Sequence, residues 1–274
     1  MKSLMKYFRL LISYISLIFK SYGLNFKLLY RGLKCTPRFV SDYRSYSKKI
    51  SSNEGEEAND VSSFELRKRH LVPCLFDYEE NAGGFGSYFF QDLWAARKIY
   101  QFEPTAHLDV GSRIDGFIGH LLVFRNVSVV DVRPLDSNLE GLDFVQSDAT
   151  KMELFDDESV QSISSLHAAE HFGLGRYGDP IDPNACFSFM KSLQRVLAKD
   201  GKLLFSVPIG MEKLYFNANR IFSPSTIIKS FDQLSLTSFS VVSSKQGIIE
   251  NISIDDFDLN DHKVGLFEFT RSSS

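Results

Sequence analysis

Residues 107–116 read HLDVGSRIDG. His107–Val110 fits a short strand, and Gly111 ends it, because glycine accepts the backbone angles of a sharp exit. Helical spacing follows as far as Phe124, and Val127–Val132 (VSVVDV) is a second strand with Asp131 near its end. Strand, glycine turn, helix and strand ending in an acid is the opening unit of a nucleotide-binding α/β sheet. The turn Gly111-Ser112-Arg113 lets backbone approach a ligand, and Asp131, 20 residues beyond Gly111, suits both hydroxyls of a ribose.

The same alternation extends outward in both directions. Tyr88–Tyr100 (YFFQDLWAARKIY) is a helix ahead of the first strand, with Gln91 and Asp92 directed toward the same mouth. Leu142–Gln146 is a third strand leading to Asp148-Ala149, where an acceptor meets an adenine amino group. Val160–Leu166 is a fourth strand, followed by a helix over Phe187–Leu197 and a fifth strand, Lys202–Val207, halted by Pro208. Ser223-Pro224, an N-cap followed by proline at the first helical position, opens a helix through Phe231. Phe239–Ser243 and Val264–Thr270 close the chain as a strand pair with a long connection. The pattern predicts one α/β domain over residues 85–274.

The densest chemistry follows the fourth strand: SLHAAEH over 165–171, then GLGRYGDP over 173–180. A histidine, with a pKa near 6.5, suits removal of a hydroxyl proton. His171 is the leading base, with His167 and Glu170 assisting, and Glu170 is alternatively a ligand for a divalent ion. The string His-x-x-Glu-His also matches a zinc-peptidase pattern. That pattern requires both histidines on one helical turn, whereas here a strand exit is soon broken by Gly173, Gly175 and Gly178. Arg176, Tyr177 and Asp179 shape an acceptor pocket, Arg176 being suited to phosphate or carboxylate. After the fifth strand, Asn217, Asn219 and Arg220 beside Tyr215 and Phe216 suit sugar hydroxyls and a phosphate.

Taken together, these residues resemble the class I S-adenosylmethionine-dependent methyltransferases over about residues 85–271. The resemblance implies a Rossmann-like sheet with a terminal antiparallel strand pair and S-adenosylmethionine as cofactor. It implies that Asp109 and Gly111 hold the methionine part, Asp131 the ribose and Asp148 the adenine. Arg113 departs from the family pattern, which has a second glycine there; its cation is expected to open the loop or to reach a carboxylate. The stretches GSRIDGF (111–117), SLHAAEHFGLGRYGDP (165–180) and SVPIG (206–210) resemble a methyltransferase-like domain-of-unknown-function family. Its bacterial members accompany surface-polysaccharide genes, which implies a sugar or glycan acceptor.

The chain has 274 residues, 43% hydrophobic and 24% charged, which excludes a wholly disordered chain, a collagen-like repeat and a polytopic membrane protein. Phe occurs 25 times and Trp once, an aromatic load made of apolar rings. The net charge of −3 conceals an asymmetry: residues 1–50 hold 11 Lys/Arg and one acid, Asp42, so the remainder carries −13. Leu10–Phe19 (LLISYISLIF) is too short to span a bilayer and lacks a signal-peptidase site. Residues 1–45 therefore read as a basic, apolar helical segment for an anionic membrane surface, or as a packing or oligomer element. No motif accompanies the charge to indicate nucleic acid. Residues 45–63 are Ser-, Glu- and Asn-rich, and 46–84 read as linker and lead-in. Three separated cysteines, Cys35, Cys74 and Cys186, suit a reducing, cytoplasmic setting. The leading expectation is an O-methyltransferase acting on a sugar at the cytoplasmic membrane face. An NAD-dependent sugar oxidoreductase and a non-catalytic membrane-docked scaffold are the alternatives.

Overall fold

A computed structural model of the chain describes residues 2–52, 66–79, 85–136, 138–243 and 247–272. They divide into two units, Met1–Gly84 and Phe85–Ser274. In the first, α1 (Lys2–Ser21) and α2 (Phe26–Ser52) are long helices. The second continues through the first residues of the stretch expected to be linker, and residues 53–65 and 80–84 of that stretch lie outside the described residues. Leu75, Phe76 and Tyr78 lie against one stripe of α2. Arg31 lies 4.8 Å from the Phe76 ring centre and Arg38 lies 3.6 Å from that of Tyr78, whose hydroxyl is 3.5 Å from the buried Cys35 thiol. Positions 31, 35 and 38 share a helix face. Ile12, Leu17, Ile18, Leu29, Tyr30 and Leu33 remain exposed. No helix among the described residues is long and apolar enough to cross a membrane.

The second unit begins with α3 (Ser87–Phe102), β1 (His107–Val110), a π turn (Ile114–Ile118) running into the short α4 (Gly119–Leu122), β2 (Val127–Asp131) and β3 (Leu142–Gln146). It continues through β4 (Val160–Leu166), α5 (Ala185–Val196), β5 (Leu197–Ile209), a small hairpin of β6 (Lys213–Tyr215) and β7 (Asn219–Ile221), and α6 (Pro224–Ser230). Strands β8 (Ser235–Ser243), β9 (Gly247–Ile249) and β10 (Lys263–Thr270) complete it. The main sheet has the order β3-β2-β1-β4-β5-β10-β8-β9. The first five are parallel, and β10 runs antiparallel between β5 and β8. The α/β sheet with a terminal antiparallel pair expected from the sequence is present. The hairpin β6–β7 and the edge strand β9 are additions that the hydropathy pattern did not reveal.

Helices cover both faces. Trp94, Ile99, Phe117 and Leu121 pack on Val127, Val129, Leu204 and Leu266 on one side. Phe189, Met190, Leu193 and Ile227 pack on Ile163, Leu203 and Phe267 on the other. The phenylalanine surplus belongs largely to this second layer: the Phe205, Phe231 and Phe269 rings meet at 5.0 and 4.8 Å, which buries large apolar area without a polar atom to satisfy. The chain leaves β1 toward β2 and β3 on one side, then returns to β4 on the other. The carboxyl ends of β1 and β4 thus flank the switch point where α/β sheets open a ligand crevice.

Two glycines in the loop after β4 make a paired test. Both Gly173 (φ +74°) and Gly178 (φ +84°) are left-handed, but a Cβ on Gly173 would lie 1.8 Å from the Asp182 carbonyl oxygen, whereas one on Gly178 meets nothing within 4 Å. Gly178→Ala should cost about 1 kcal/mol of left-handed strain. Gly173→Ala must also displace backbone and should cost at least about 3 kcal/mol. Urea unfolding of both variants measures the difference, and equal losses would contradict the packing described.

Candidate active site

The site starts from a buried polar chain beneath the switch point. Asp109, fully buried on β1, accepts from the Ser112 amide (3.0 Å), the Ser112 hydroxyl (2.6 Å) and the Ser164 hydroxyl (2.6 Å). Ser112 Oγ in turn accepts from the Leu166 amide at 3.0 Å. Behind it, His107 bridges Ser162 (2.8 Å) and Ser164 (2.9 Å) through its two ring nitrogens. Burial pushes Asp109 up to about 6 and His107 down to about 3. Asp109 and Ser112 were expected to touch a cofactor. Their side chains are instead spent within the protein, fixing the glycine turn of β1 to the exit of β4.

Gly111 (φ +75°) crosses so close to that exit that a Cβ would be 3.0 Å from Ala168. Arg113, at the position of the missing second glycine, turns outward and forks onto exposed Asp115 (3.1 and 3.0 Å). Its cation reaches a carboxylate of its own chain, and the guanidinium also lies 5.5 Å from the Tyr88 ring centre. Gly116 admits the buried Asp92: a Cβ there would be 2.8 Å from Asp92 Oδ2. Desolvation raises the pKa of Asp92, and Gln91 donates to its other oxygen at 3.1 Å.

Asp131 ends β2 as expected, and both of its oxygens accept from Arg133. Asp148 accepts from the Thr150 amide (2.9 Å) and hydroxyl (2.7 Å), which closes the turn after β3, with Ala149 buried beside it.

His167 leaves β4 in the left-handed region (φ +54°), a strained conformation for a non-glycine residue that concentrates at functional sites. A 3-10 turn, Ala169–His171, then brings Glu170 back beneath it. His167 Nδ1 lies 2.7 Å from Glu170 Oε1, with the two side chains only 8% and 2% exposed. Since a carboxylate only accepts, Nδ1 donates, and in the neutral ring the lone pair is then on Nε2. His167 Nε2 and Glu170 Oε2 are both buried and have no hydrogen-bond partner among the described residues. Tyr88 of α3 covers the His167 ring at 4.9 Å, and burial followed by the Glu170 charge raises its pKa, which keeps it protonated. His171 is held differently. Its Nδ1 donates to the Ala218 carbonyl at 2.7 Å, its Nε2 is 3.8 Å from Glu170 Oε1, and burial lowers its pKa.

The glycine loop is organised by Asp179, which accepts from the amides of Gly173 (2.8 Å), Gly175 (3.3 Å) and Tyr177 (3.1 Å). Its carboxylate therefore shapes the loop from within. Arg176 donates to Ala218 O at 2.9 Å, sharing that acceptor with His171. Tyr177 stands edge-on to His171 at 5.6 Å. Arg220 was expected to meet a phosphate, but its guanidinium donates to the Phe172 carbonyl at 2.6 Å and ties the hairpin to the loop. Asn219 donates to the Arg220 carbonyl at 3.1 Å, while Asn217 is exposed at the hairpin tip. Sequence reasoning missed Tyr88, which read as one more apolar ring, and Arg133, whose spacing of two from Asp131 was the available signal.

The sequence model of a family described as Caenorhabditis protein of unknown function, DUF268, matches residues 131–261. A search of curated proteins finds no match. Among solved structures, the chain is similar to a Burkholderia thailandensis 1,6-didemethyltoxoflavin N1-methyltransferase with bound S-adenosylhomocysteine: 16% identity, 67% of this chain and 79% of that one, TM-score 0.49. It is also similar to the N-methyltransferase NodS of Bradyrhizobium japonicum (13% identity, 67% and 86% covered, TM-score 0.45). The cyclase SpnF matches at 11% identity, with 67% and 82% covered and a TM-score of 0.47.

The buried chain has a pH signature. Between about pH 4 and 6 the folded protein keeps a proton on Asp109 that the unfolded chain has released, so this group lowers stability as pH rises. Between about pH 3 and 6.5 the unfolded chain protonates His107 while the folded one does not, so this group raises stability with pH. The two slopes oppose each other in the native protein. Asp109→Asn should leave a stability that climbs from pH 4 to 6.5, and His107→Gln one that falls from pH 4 to 6. Each change is on the order of 1–3 kcal/mol by urea unfolding. Parallel pH profiles for the two variants would contradict the assignment.

Proposed function

We propose that the second unit is an S-adenosylmethionine-dependent O-methyltransferase acting on a hydroxyl of a sugar or sugar-linked acceptor. The observation that carries this reading is the His167–Glu170 pair, a histidine oriented by a buried carboxylate, whose other nitrogen is buried and unpartnered among the described residues at the exit of β4. The residues present fit the cofactor. Gly111 takes the left-handed turn that ends β1, Arg113 is paired with Asp115 of its own chain, and Asp131 at the end of β2 and Asp148 in the loop after β3 are the acids for ribose and adenine. When bound, S-adenosylmethionine supplies an electrophilic methyl group.

The chain's own residues supply alignment and proton removal. His167 Nε2 takes the hydroxyl proton, and Glu170 holds the tautomer and stabilises the imidazolium that results. His171, the leading base by sequence, becomes a positioning residue in this reading, since its Nδ1 anchors the hairpin carbonyl of Ala218. Tyr88 covers the imidazole and helps to exclude water. Placing the acceptor against Nε2 contributes through orientation, and base catalysis adds about 100- to 10,000-fold.

His167→Gln should therefore lower turnover of a sugar acceptor at least about 100-fold. Its affinity for S-adenosylhomocysteine, measured by calorimetry, should stay within twofold of the wild type. Retained turnover would remove His167 from the role, and absence of S-adenosylhomocysteine binding to the wild type at millimolar concentration would sink the cofactor assignment.

For the first unit, exposed Leu17, Ile18, Leu29 and Leu33 lie within a segment carrying 11 Lys/Arg and one acid over residues 1–50, which supports docking to an anionic bilayer surface. The full chain should co-sediment with vesicles containing phosphatidylserine and release at high salt. Leu29→Glu/Leu33→Glu should weaken that binding, and equal binding to purely zwitterionic vesicles would contradict the electrostatic part.

A further inference from the structure

The acid that ends β2 is already engaged. Arg133 donates to Asp131 three times: from its backbone amide to Oδ1 (2.9 Å), from Nε to Oδ1 (3.0 Å) and from Nη2 to Oδ2 (2.6 Å). The carboxylate is 14% exposed and the arginine side chain 51%, so the guanidinium forms the outer layer over the acid. The same guanidinium lies 4.6 Å from the Tyr177 ring centre, and that of Arg176 lies 5.2 Å from the same ring. Tyr177 stands edge-on to His171, and Arg176 shares the Ala218 carbonyl with it. Arg133 thus links the loop after β2, on the cofactor side, with the glycine loop after β4, on the acceptor side.

A carboxylate offers about four lone-pair positions in its plane. Three are taken, so the two hydroxyls of a ribose cannot both be received unless the fork withdraws. A guanidinium displaced from Asp131 keeps its tyrosine face and stands there beside a second guanidinium. Two cations sharing one ring without an acid between them form a seat for an anion.

We propose that Arg133 is a strap: the ribose diol of a nucleoside displaces it from Asp131, and the released guanidinium joins Arg176 on Tyr177 to hold an anionic acceptor. This rests on the reading of Asp131 as the ribose acid. It makes the nucleoside the first ligand and assigns the acceptor a phosphate or carboxylate group near the hydroxyl that reacts. Coupling of this kind is reciprocal, so the anion tightens the nucleoside as much as the nucleoside tightens the anion.

The test uses the full chain, wild type and Arg133→Met, in calorimetric titrations with S-adenosylhomocysteine, inorganic phosphate and acetate. Arg133→Met should bind S-adenosylhomocysteine several-fold more tightly, because an internal competitor is gone. In the wild type, saturating S-adenosylhomocysteine should tighten phosphate or acetate at least fivefold, the preferred anion separating the two acceptor chemistries, and the variant should lose this effect. Weaker S-adenosylhomocysteine binding in the variant, or anion affinity indifferent to it, would overturn the proposal. A second arm needs no nucleoside. Amide hydrogen exchange at residues 173–178 should be at least tenfold faster in Arg133→Met, and unchanged exchange there overturns the strap. If neither protein binds S-adenosylhomocysteine while the exchange arm succeeds, the cofactor reading and the release by a nucleoside have both failed, and only the Arg133 link between the two loops stands.

Discussion

The buried carboxylate of Asp109 is the constraint on which the rest of the site depends. Through three hydrogen bonds it holds both Ser112 of the glycine turn and Ser164 of β4. Through the Ser112 hydroxyl it also reaches the backbone at Leu166, one residue before the chain turns out of the sheet. A second tie, from Ser165 Oγ to the Val110 carbonyl at 2.9 Å, runs parallel to it. With turn and exit fixed together, Gly111 must pass against Ala168, and His167 must leave in a left-handed conformation. The tight turn that follows puts Glu170 under the imidazole. A charge this deeply buried is tolerated because every contact it makes is a donor, and its raised pKa records what desolvation still costs.

From that anchor the site divides into two sides. One is acidic, formed by Asp131 at the end of β2 and Asp148 in the loop after β3. The other is cationic and aromatic, formed by Arg176 and Tyr177 on a glycine loop whose path is set by Asp179 from inside. The hairpin β6–β7 closes the second side by offering one carbonyl, that of Ala218, to both His171 and Arg176. Its other anchor, Arg220, grips the loop's own carbonyls. Several polar residues that look like ligand groups in the sequence are thus the means by which irregular loops satisfy their backbone without regular secondary structure.

This separates what was legible in the sequence from what was not. Strands β1, β3 and β4 were read to the residue, since apolar runs bounded by Gly, Pro and Asp are local signals. The Ser223 cap was legible for the same reason, and its hydroxyl accepts from the Thr226 amide at 3.2 Å. The hairpin was not legible: its strands are three residues each, with no buried face to impose an alternation. Helix α2 ran past its expected end because serines and lysines at an exposed helix terminus look like linker composition. Within the site, the residue types and their strand ends were readable. Which histidine is paired with Glu170 was not, because that depends on a left-handed residue at His167 and the tight turn after it, for which the residue types give no local signal.

Glu170 fixes the orientation of the His167 imidazole by accepting the proton that the ring carries on Nδ1. Nitrogen-15 NMR of histidine-labelled protein at neutral pH reads this directly. The expected result is a protonated Nδ1 whose proton is shifted downfield and returns toward the ordinary position in Glu170→Gln. A His167 with its proton on Nε2, or one whose signals ignore the loss of the Glu170 charge, would contradict it.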